Sequence, residues 1–129
     1  MGIKPLTEFQ EQCLVVKWLE AKRLTFCHVP NSGGKGPAFA VRGHRLKMAG
    51  ARAGFPDLLV FDHPDNRIRR PVDTIQPACG VAIEMKTRKG GTASPEQKQW
   101  AEFLTRCGWV WFVAHGADEA IQKLEELGY

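Results

Sequence analysis

The sequence predicts an α/β domain in which a mixed central sheet is flanked by helices, and three patterns carry this prediction. Val81 to Lys86 alternates apolar and polar side chains with the period of a strand. Amphipathic helix patterns run from Leu6 to Lys22 and from Ser94 to Gly108, on either side of that strand in the chain. The helix from Ser94 lies between this strand and a second predicted strand, Trp109 to Ala114. A strand, a helix and a strand in succession form a crossover, so the two strands should be parallel.

Length and composition indicate one domain, spanning residues 1–129. Hydrophobic residues at 43% and charged residues at 25% are ordinary globular values, and 129 residues can bury a core without disulfides. The apolar runs are too short for a spanning helix or a signal peptide, so we expect a soluble, cytoplasmic protein with no membrane association. The four cysteines and four histidines are scattered without zinc-ligand spacing.

The first third of the chain predicts a helix, a short strand and a loop. Thr7 and Gln10 form a capping-box pair, and the helix that follows should be largely buried. Glu8 lies on its inward stripe, where an acid either lines a site or is simply favoured by the helix dipole. A strand should run from Leu24 to Val29. The Gly-rich loop after it carries Lys35, which either meets a DNA phosphate or belongs to a flexible connection.

The middle of the chain predicts a short helix, a strand and a long loop. Val41 to Ala49 has a helical pattern, and Leu58 to Phe61 is an apolar run that begins just after Asp57. The polar segment from Asp62 to Cys79 is long for a connection, and either extends the strands or touches DNA. The middle stretch around this helix has more apolar side chains than an exposed basic segment needs, so these side chains either form a dimer interface or pack the short helix on the sheet. These side chains are Phe39, Val41, Leu46 and Met48.

The last third predicts a helix, a strand and a final helix. Ser94 is a capping residue with Pro95 at the first helical position. Gln97 has two interpretations, either the partner of this cap or a polar group that lines a site. Trp109 to Ala114 reads as a buried strand, and Ala117 to Leu127 as an amphipathic helix.

Charge is distributed unevenly along the chain. The net charge is +4, yet the stretch from Ala21 to Pro56 has seven Lys or Arg residues and no acid. Such a stretch attracts polyanions, of which nucleic acid is the commonest inside a cell, although it could also serve solubility alone.

Asp57, Glu84 and Lys86 are the residues whose spacing points to chemistry. Glu84 and Lys86 stand at i and i+2 on one strand, so their side chains point the same way, roughly 6.6 Å apart. If the Asp57 strand pairs with this one, two carboxylates and an ammonium meet. The alternative is a solvent-facing strand edge with a salt bridge, which is common in antiparallel sheets.

Five stretches in order resemble one nuclease family. Asp57 and the Glu-x-Lys element match the PD-(D/E)XK superfamily, and the whole chain is similar to its VRR-NUC domains, of the stand-alone phage or bacterial type. The remaining matches are Glu8 ahead of Val15 to Leu19, His28 to Asn31, Gly54 to Leu58, and Ser94 to Gln97 before Trp100. The resemblance implies an αβββαβ core and a metal-dependent endodeoxyribonuclease that acts on branched DNA such as a Holliday junction.

The resemblance also assigns roles to residues. Asp57, Glu84 and an acid of the first helix would hold the metal; Glu8 matches this position and Glu11 is the fallback. The Met85 carbonyl would be a further ligand. Oxygen ligands suit Mg²⁺ or Mn²⁺. Lys86 would act on the attacking water and Gln97 would lie beside the catalytic residues. The basic charge of the chain, and not the resemblance, predicts the nucleic-acid contacts, which are Lys35, Arg42, Arg45, Lys47, Arg52, Arg88 and Lys89.

Two other functions remain open. A nucleic-acid-binding module could use the same basic stretch without catalysis, and a small metal-dependent phosphohydrolase could act on nucleotides. For the nuclease we expect a homodimer, because a branched junction is two-fold symmetric and needs paired incisions.

Overall fold

The computed structural model describes residues 2–30, 37–63 and 79–129, and within the second helix it describes side chains from residue 40 onward. Four helices and four strands lie in these stretches. In chain order they are α1 (Glu8–Ala21), β1 (Phe26–His28), α2 (Pro37–Met48), β2 (Leu58–Val60), β3 (Val81–Lys86), α3 (Pro95–Arg106), β4 (Val110–His115) and α4 (Ala117–Glu126).

The four strands form one mixed sheet in the order β1-β2-β3-β4. β1 pairs antiparallel with β2 and β2 antiparallel with β3, whereas β3 and β4 are parallel. The predicted mixed sheet flanked by helices is therefore confirmed. Because Leu58 lies opposite Ile83, the chain just before β2 is brought next to the end of β3.

The core lies on the face of the sheet that α1 and α4 cover. Its buried residues include Leu58, Ile83 and Met85 from the strands, with Leu19 from α1 and Leu124 from α4. Burying apolar area of this kind is the main favourable contribution to folding.

The prediction that α1 is largely buried is wrong. Its buried residues are Glu11, Val15 and Leu19, spaced four apart on one stripe, while Phe9 is 74% exposed. Glu11 therefore holds the inward position that the sequence analysis gave to Glu8. The stripe is narrow because residues four apart lie above one another along a helix.

α2 lies at the surface, and none of its described side chains is buried. Val41 and Met48 are exposed, so they do not pack closely on the sheet. The predictions for Lys35, and for most of the loop from Asp62 to Cys79, fall outside the described residues. No helix in the described stretches is long and apolar enough to cross a membrane.

Candidate active site

Asp57 is fixed at the entrance to β2 by two contacts with β3. Its backbone N–H donates to the carbonyl of Ile83 at 3.0 Å, and its Oδ2 accepts the backbone N–H of Met85 at 2.8 Å. A carboxylate that accepts a backbone N–H is held in one orientation. Pairing of β2 with β3 thus brings Asp57 beside the strand that carries Glu84, as the sequence predicts.

Glu84 is only 2% exposed, and its two oxygens have different environments. Oε1 accepts a hydrogen bond of 2.7 Å from the side-chain amide of Gln97. Oε2 is buried and, while the carboxyl is ionised, has no partner among the described residues. A proton on Glu84 would let this group donate to Asp57. Burial first, and then the charge of Asp57, raise the pKa of Glu84 to about 8, against the opposing effect of Lys86.

Lys86 extends toward Glu84, as the period of a strand predicts. Its Nζ lies 3.9 Å from Glu84 Oε1 and donates to Gln97 Oε1 at 3.1 Å. The side chain is half-buried. Since an ammonium has three donors, hydrogen-bonding capacity remains for a phosphate oxygen or a water.

Gln97 joins this pair to α3. Its side-chain carbonyl accepts the backbone N–H of Ser94 at 2.8 Å, while the Ser94 hydroxyl accepts the backbone N–H of Gln97 at 3.2 Å. These two bonds complete the predicted capping box. The same side chain contacts Glu84 and Lys86, so the partner of the cap also lies beside the candidate catalytic residues.

Of the two acids in the first turn of α1, Glu8 and Glu11, the structure brings Glu8 to this site. The residue is exposed as a whole, yet partial burial of its carboxyl, followed by the charge of Asp57, raises its pKa, and Lys86 opposes the rise. Glu8 is thus within electrostatic reach of both residues. We call Glu8, Asp57 and Glu84 the carboxylate cluster.

Glu11 has a structural environment instead. Its fully buried carboxylate accepts from Arg88 Nε at 2.6 Å and from the backbone N–H of Ala117, the first residue of α4, at 2.7 Å. The hydrogen bond from Arg88 is the largest cause of its lowered pKa. Gly116 has no side chain to cap α4, so Glu11 supplies the cap from another helix.

The predicted nucleic-acid contacts fall into two groups. Arg88 is bound to Glu11 and, at 3.1 Å, to Asp118, so its guanidinium links α1 to α4. Arg52 and Lys89 are exposed. Three basic residues of α2 are also exposed, and we call them the α2 basic cluster: Arg42, Arg45 and Lys47.

The oxygen atoms of the site suit a hard divalent cation. Within the stretches that the structure describes, no three His, Cys, Asp or Glu side chains already stand as a metal-binding group. Asp57 and Glu84 face protein donors instead. Burial and the neighbouring carboxylates nevertheless raise the pKa values of Glu8 and Glu84, and Oε2 of Glu84 is a buried acceptor without a partner among the described residues; a bound cation would favour the ionised carboxylates and give that oxygen a partner. The carboxylate cluster therefore fits Mg²⁺ or Mn²⁺.

Two contacts of this site were missed from the sequence. The resemblance predicts that the Met85 carbonyl binds the metal, whereas the structure shows the backbone N–H of Met85 donating to Asp57. His28 places Nδ1 2.6 Å from the Asp57 carbonyl, and Gln12 lies 3.2 Å from the same nitrogen. The His28 contact depends on the strand pairing that the structure shows, in which antiparallel β1 puts His28 opposite Leu58, one residue from Asp57.

Comparison with known proteins agrees with this geometry. The model of the VRR-NUC domain family matches residues 6–118 of the chain. The chain belongs to the VRR-NUC family. A solved structure described as a VRR_NUC domain protein is 27% identical to it, with a TM-score of 0.66 over 97% of this chain and 93% of the other. No curated protein is similar enough to count as a match.

Membership of the VRR-NUC family implies a nuclease, hence hydrolase activity and a DNA substrate. Nucleases of this family typically use a divalent metal.

Proposed function

We propose that this VRR-NUC chain is a divalent-metal-dependent endodeoxyribonuclease that hydrolyses phosphodiester bonds in branched DNA. The observation that carries the proposal is that Asp57 and Lys86 both lie beside Glu84, whose buried Oε2 has no hydrogen-bond partner among the described residues. A structural salt-bridged strand edge would not bury a carboxylate oxygen without a partner.

The cluster's residues have distinct tasks in this proposal. Asp57, Glu84 and Glu8, with the Met85 carbonyl, would hold Mg²⁺ or Mn²⁺. When bound, the ion polarises the phosphate and lowers the pKa of a water. Lys86 offers its remaining N–H donors to that water or to the charge that develops on the phosphate. Gln97 keeps Lys86 and Glu84 at their present separation by bonding to both.

Charge on the surface supports DNA as the substrate. The α2 basic cluster, Arg52 and Lys89 are exposed and can meet phosphates without reading bases. The choice of branched DNA rests on the resemblance to stand-alone family members. A two-fold substrate favours a two-fold enzyme, and the exposed apolar side chains of Val41 and Met48 support a homodimer formed through α2.

Substituting the carboxylates tests the proposal. Asp57→Asn and Glu84→Gln should abolish cleavage of a fluorescent four-way junction in Mg²⁺ or Mn²⁺. Both should bind the junction in EDTA at least as tightly as wild type, because removing an acid reduces repulsion of phosphate. Glu125→Gln, which removes one charge from the exposed surface of α4, is the matched control and should cleave normally.

The opposite outcome is equally clear. A wild-type protein that binds the junction but cuts it with neither ion would be a binding module without catalysis. Cleavage by either site variant at the wild-type rate would show that the catalytic residues lie elsewhere.

A further inference from the structure

A concave surface lies along α3, the helix whose first turn carries Gln97. It is a shallow groove of about 450 Å³ between α3 and the segment that leads to Asp57. This volume lies within the range of ligand sites. We call it the aromatic groove, and its lining residues are Arg52, Ala53, Glu96, Gln99, Trp100 and Phe103.

The Trp100 ring of this groove is held by a hydrogen bond and by ring contacts. The indole N–H of Trp100 donates to the carbonyl of Ala53 at 3.1 Å. Phe55 meets the Trp100 ring edge to face at a centroid distance of 4.9 Å, and Phe103 does so from the other direction at 6.0 Å. Phe103 remains 51% exposed, so the groove presents ring surface to solvent. Rigid, exposed aromatic rings of this kind are stacking platforms for nucleobases.

The groove lies near Gln97 on one side and near the end of α2 on the other. Gly54 touches the first turn of α3 so closely that an added Cβ would lie 2.6 Å from the backbone nitrogen of Gln97, the residue that contacts Glu84. At the opposite rim, Arg52 donates to the carbonyl of Lys47 at 3.4 Å, next to the end of α2. The lining of the groove thus runs from Arg52, next to the end of α2, to the first turn of α3, which carries Gln97.

We infer that the aromatic groove binds one unpaired nucleobase of the DNA strand that enters the active site. The base stacks on the exposed ring surface of Phe103 and Trp100, and the adjoining phosphate lies at Arg52. The carboxylate of Glu96 repels phosphate from the α3 side of the groove, so only one orientation of the backbone is favourable. This inference rests on the proposed function and extends it.

The inference gives a physical reason for a preference for branched DNA. An intact duplex keeps its bases stacked, and extracting one costs several kcal/mol, whereas a base at a branch point is already partly free. Stacking does not distinguish the four bases strongly, because every base has an aromatic face. The groove therefore selects DNA structure rather than sequence.

The test compares DNA with and without bases. Binding is measured by fluorescence anisotropy in EDTA, with a short oligothymidine and with the same oligonucleotide carrying abasic sites. Wild type should prefer the oligothymidine, and Phe103→Ala should lose about tenfold of that affinity while binding the abasic strand unchanged. Phe61→Ala is the matched control, since Phe61 is 44% exposed and also lies edge to face with a tryptophan, Trp109.

Further variants separate stacking from structural damage. Trp100→Phe keeps a ring in the groove and should retain most of the preference for bases, whereas Arg52→Ala should weaken binding to both strands. Thermal unfolding of each variant shows whether it is folded. Equal affinity of wild type for both strands, or equal losses in Phe103→Ala and Phe61→Ala, would overturn the inference while leaving the nuclease proposal intact. Failure of the wild type to bind any DNA would overturn both.

Discussion

Glu84→Gln is expected to stabilise the metal-free protein at alkaline pH, although it removes a catalytic group. The pKa of Glu84 is raised from 4.5 to about 8, chiefly by burial and then by the charge of Asp57. The folded state therefore keeps a proton that the unfolded chain has lost, and stability falls as the pH rises between these two values. Below pH 4.5 Glu84 is protonated in both states and costs no stability, and above about pH 8 its ionisation costs the folded state the full amount. Glutamine imitates the protonated carboxyl at every pH.

The magnitude follows from the displacement of the pKa. One pKa unit corresponds to about 1.4 kcal/mol, so the shift of Glu84 amounts to a few kcal/mol of unfolding free energy, shared with Asp57 through their interaction. For a domain of this size, 1 kcal/mol changes Tm by about 3–5 °C. Without metal at pH 8 or above, the variant should unfold roughly 10 °C higher than wild type. At pH 5 the two should nearly coincide.

Thermal unfolding in EDTA at a series of pH values from about 5 to 9 measures this difference directly. Adding Mg²⁺ or Mn²⁺ at pH 8 should then raise the Tm of wild type more than that of Glu84→Gln, because a ligand stabilises the state that binds it. Curves of Tm against pH that ran parallel for the two proteins would refute the argument, since the buried carboxyl would then carry no penalty.

Four further outcomes are expected. Arg88→Ala should lower Tm, because buried Glu11 loses its cation. Arg88→Lys should restore part of the lost Tm. An unchanged Tm in Arg88→Ala would contradict a structural role for Arg88. Gly54→Ala should also lower Tm, since its Cβ would lie 2.6 Å from Gln97; a normal Tm would disprove that clash. Neutralising the α2 basic cluster should reduce the slope of log affinity against log salt by about 2–3; an unchanged slope would place the DNA surface elsewhere. Light scattering should give about twice the chain's 14.4 kDa, and a monomer that still made paired symmetric cuts would refute the symmetry argument.

The features predicted well from sequence are those determined by residues close together in the chain. Both capping boxes, at Thr7 and at Ser94, form as predicted, because a cap needs only a side chain and a backbone N–H three residues later. The alternation in β3 likewise placed Glu84 and Lys86 on one side. Local geometry alone decides these features.

The features that sequence could not predict depend on partners far away in the chain. Glu8 and Glu11 are both first-turn acids, and a helix pattern cannot say which one faces inward. The cation that accompanies Glu11 is Arg88, 77 residues later in the chain. The contact of His28 with the Asp57 carbonyl likewise needs the pairing of β1 with β2. A buried charge that lacks such a partner is strongly destabilising.

Gln97 shows why a cap and a site residue need not be alternatives. An N-cap partner must lie in the first turn of its helix, where its side chain bends back toward the cap. In this fold the first turn of α3 faces the end of β3, so an amide held by Ser94 also reaches Glu84 and Lys86. Its carbonyl accepts from two donors while its amide nitrogen donates to Glu84. Helix initiation therefore orients the side chain that fixes the spacing between the carboxylate and the ammonium.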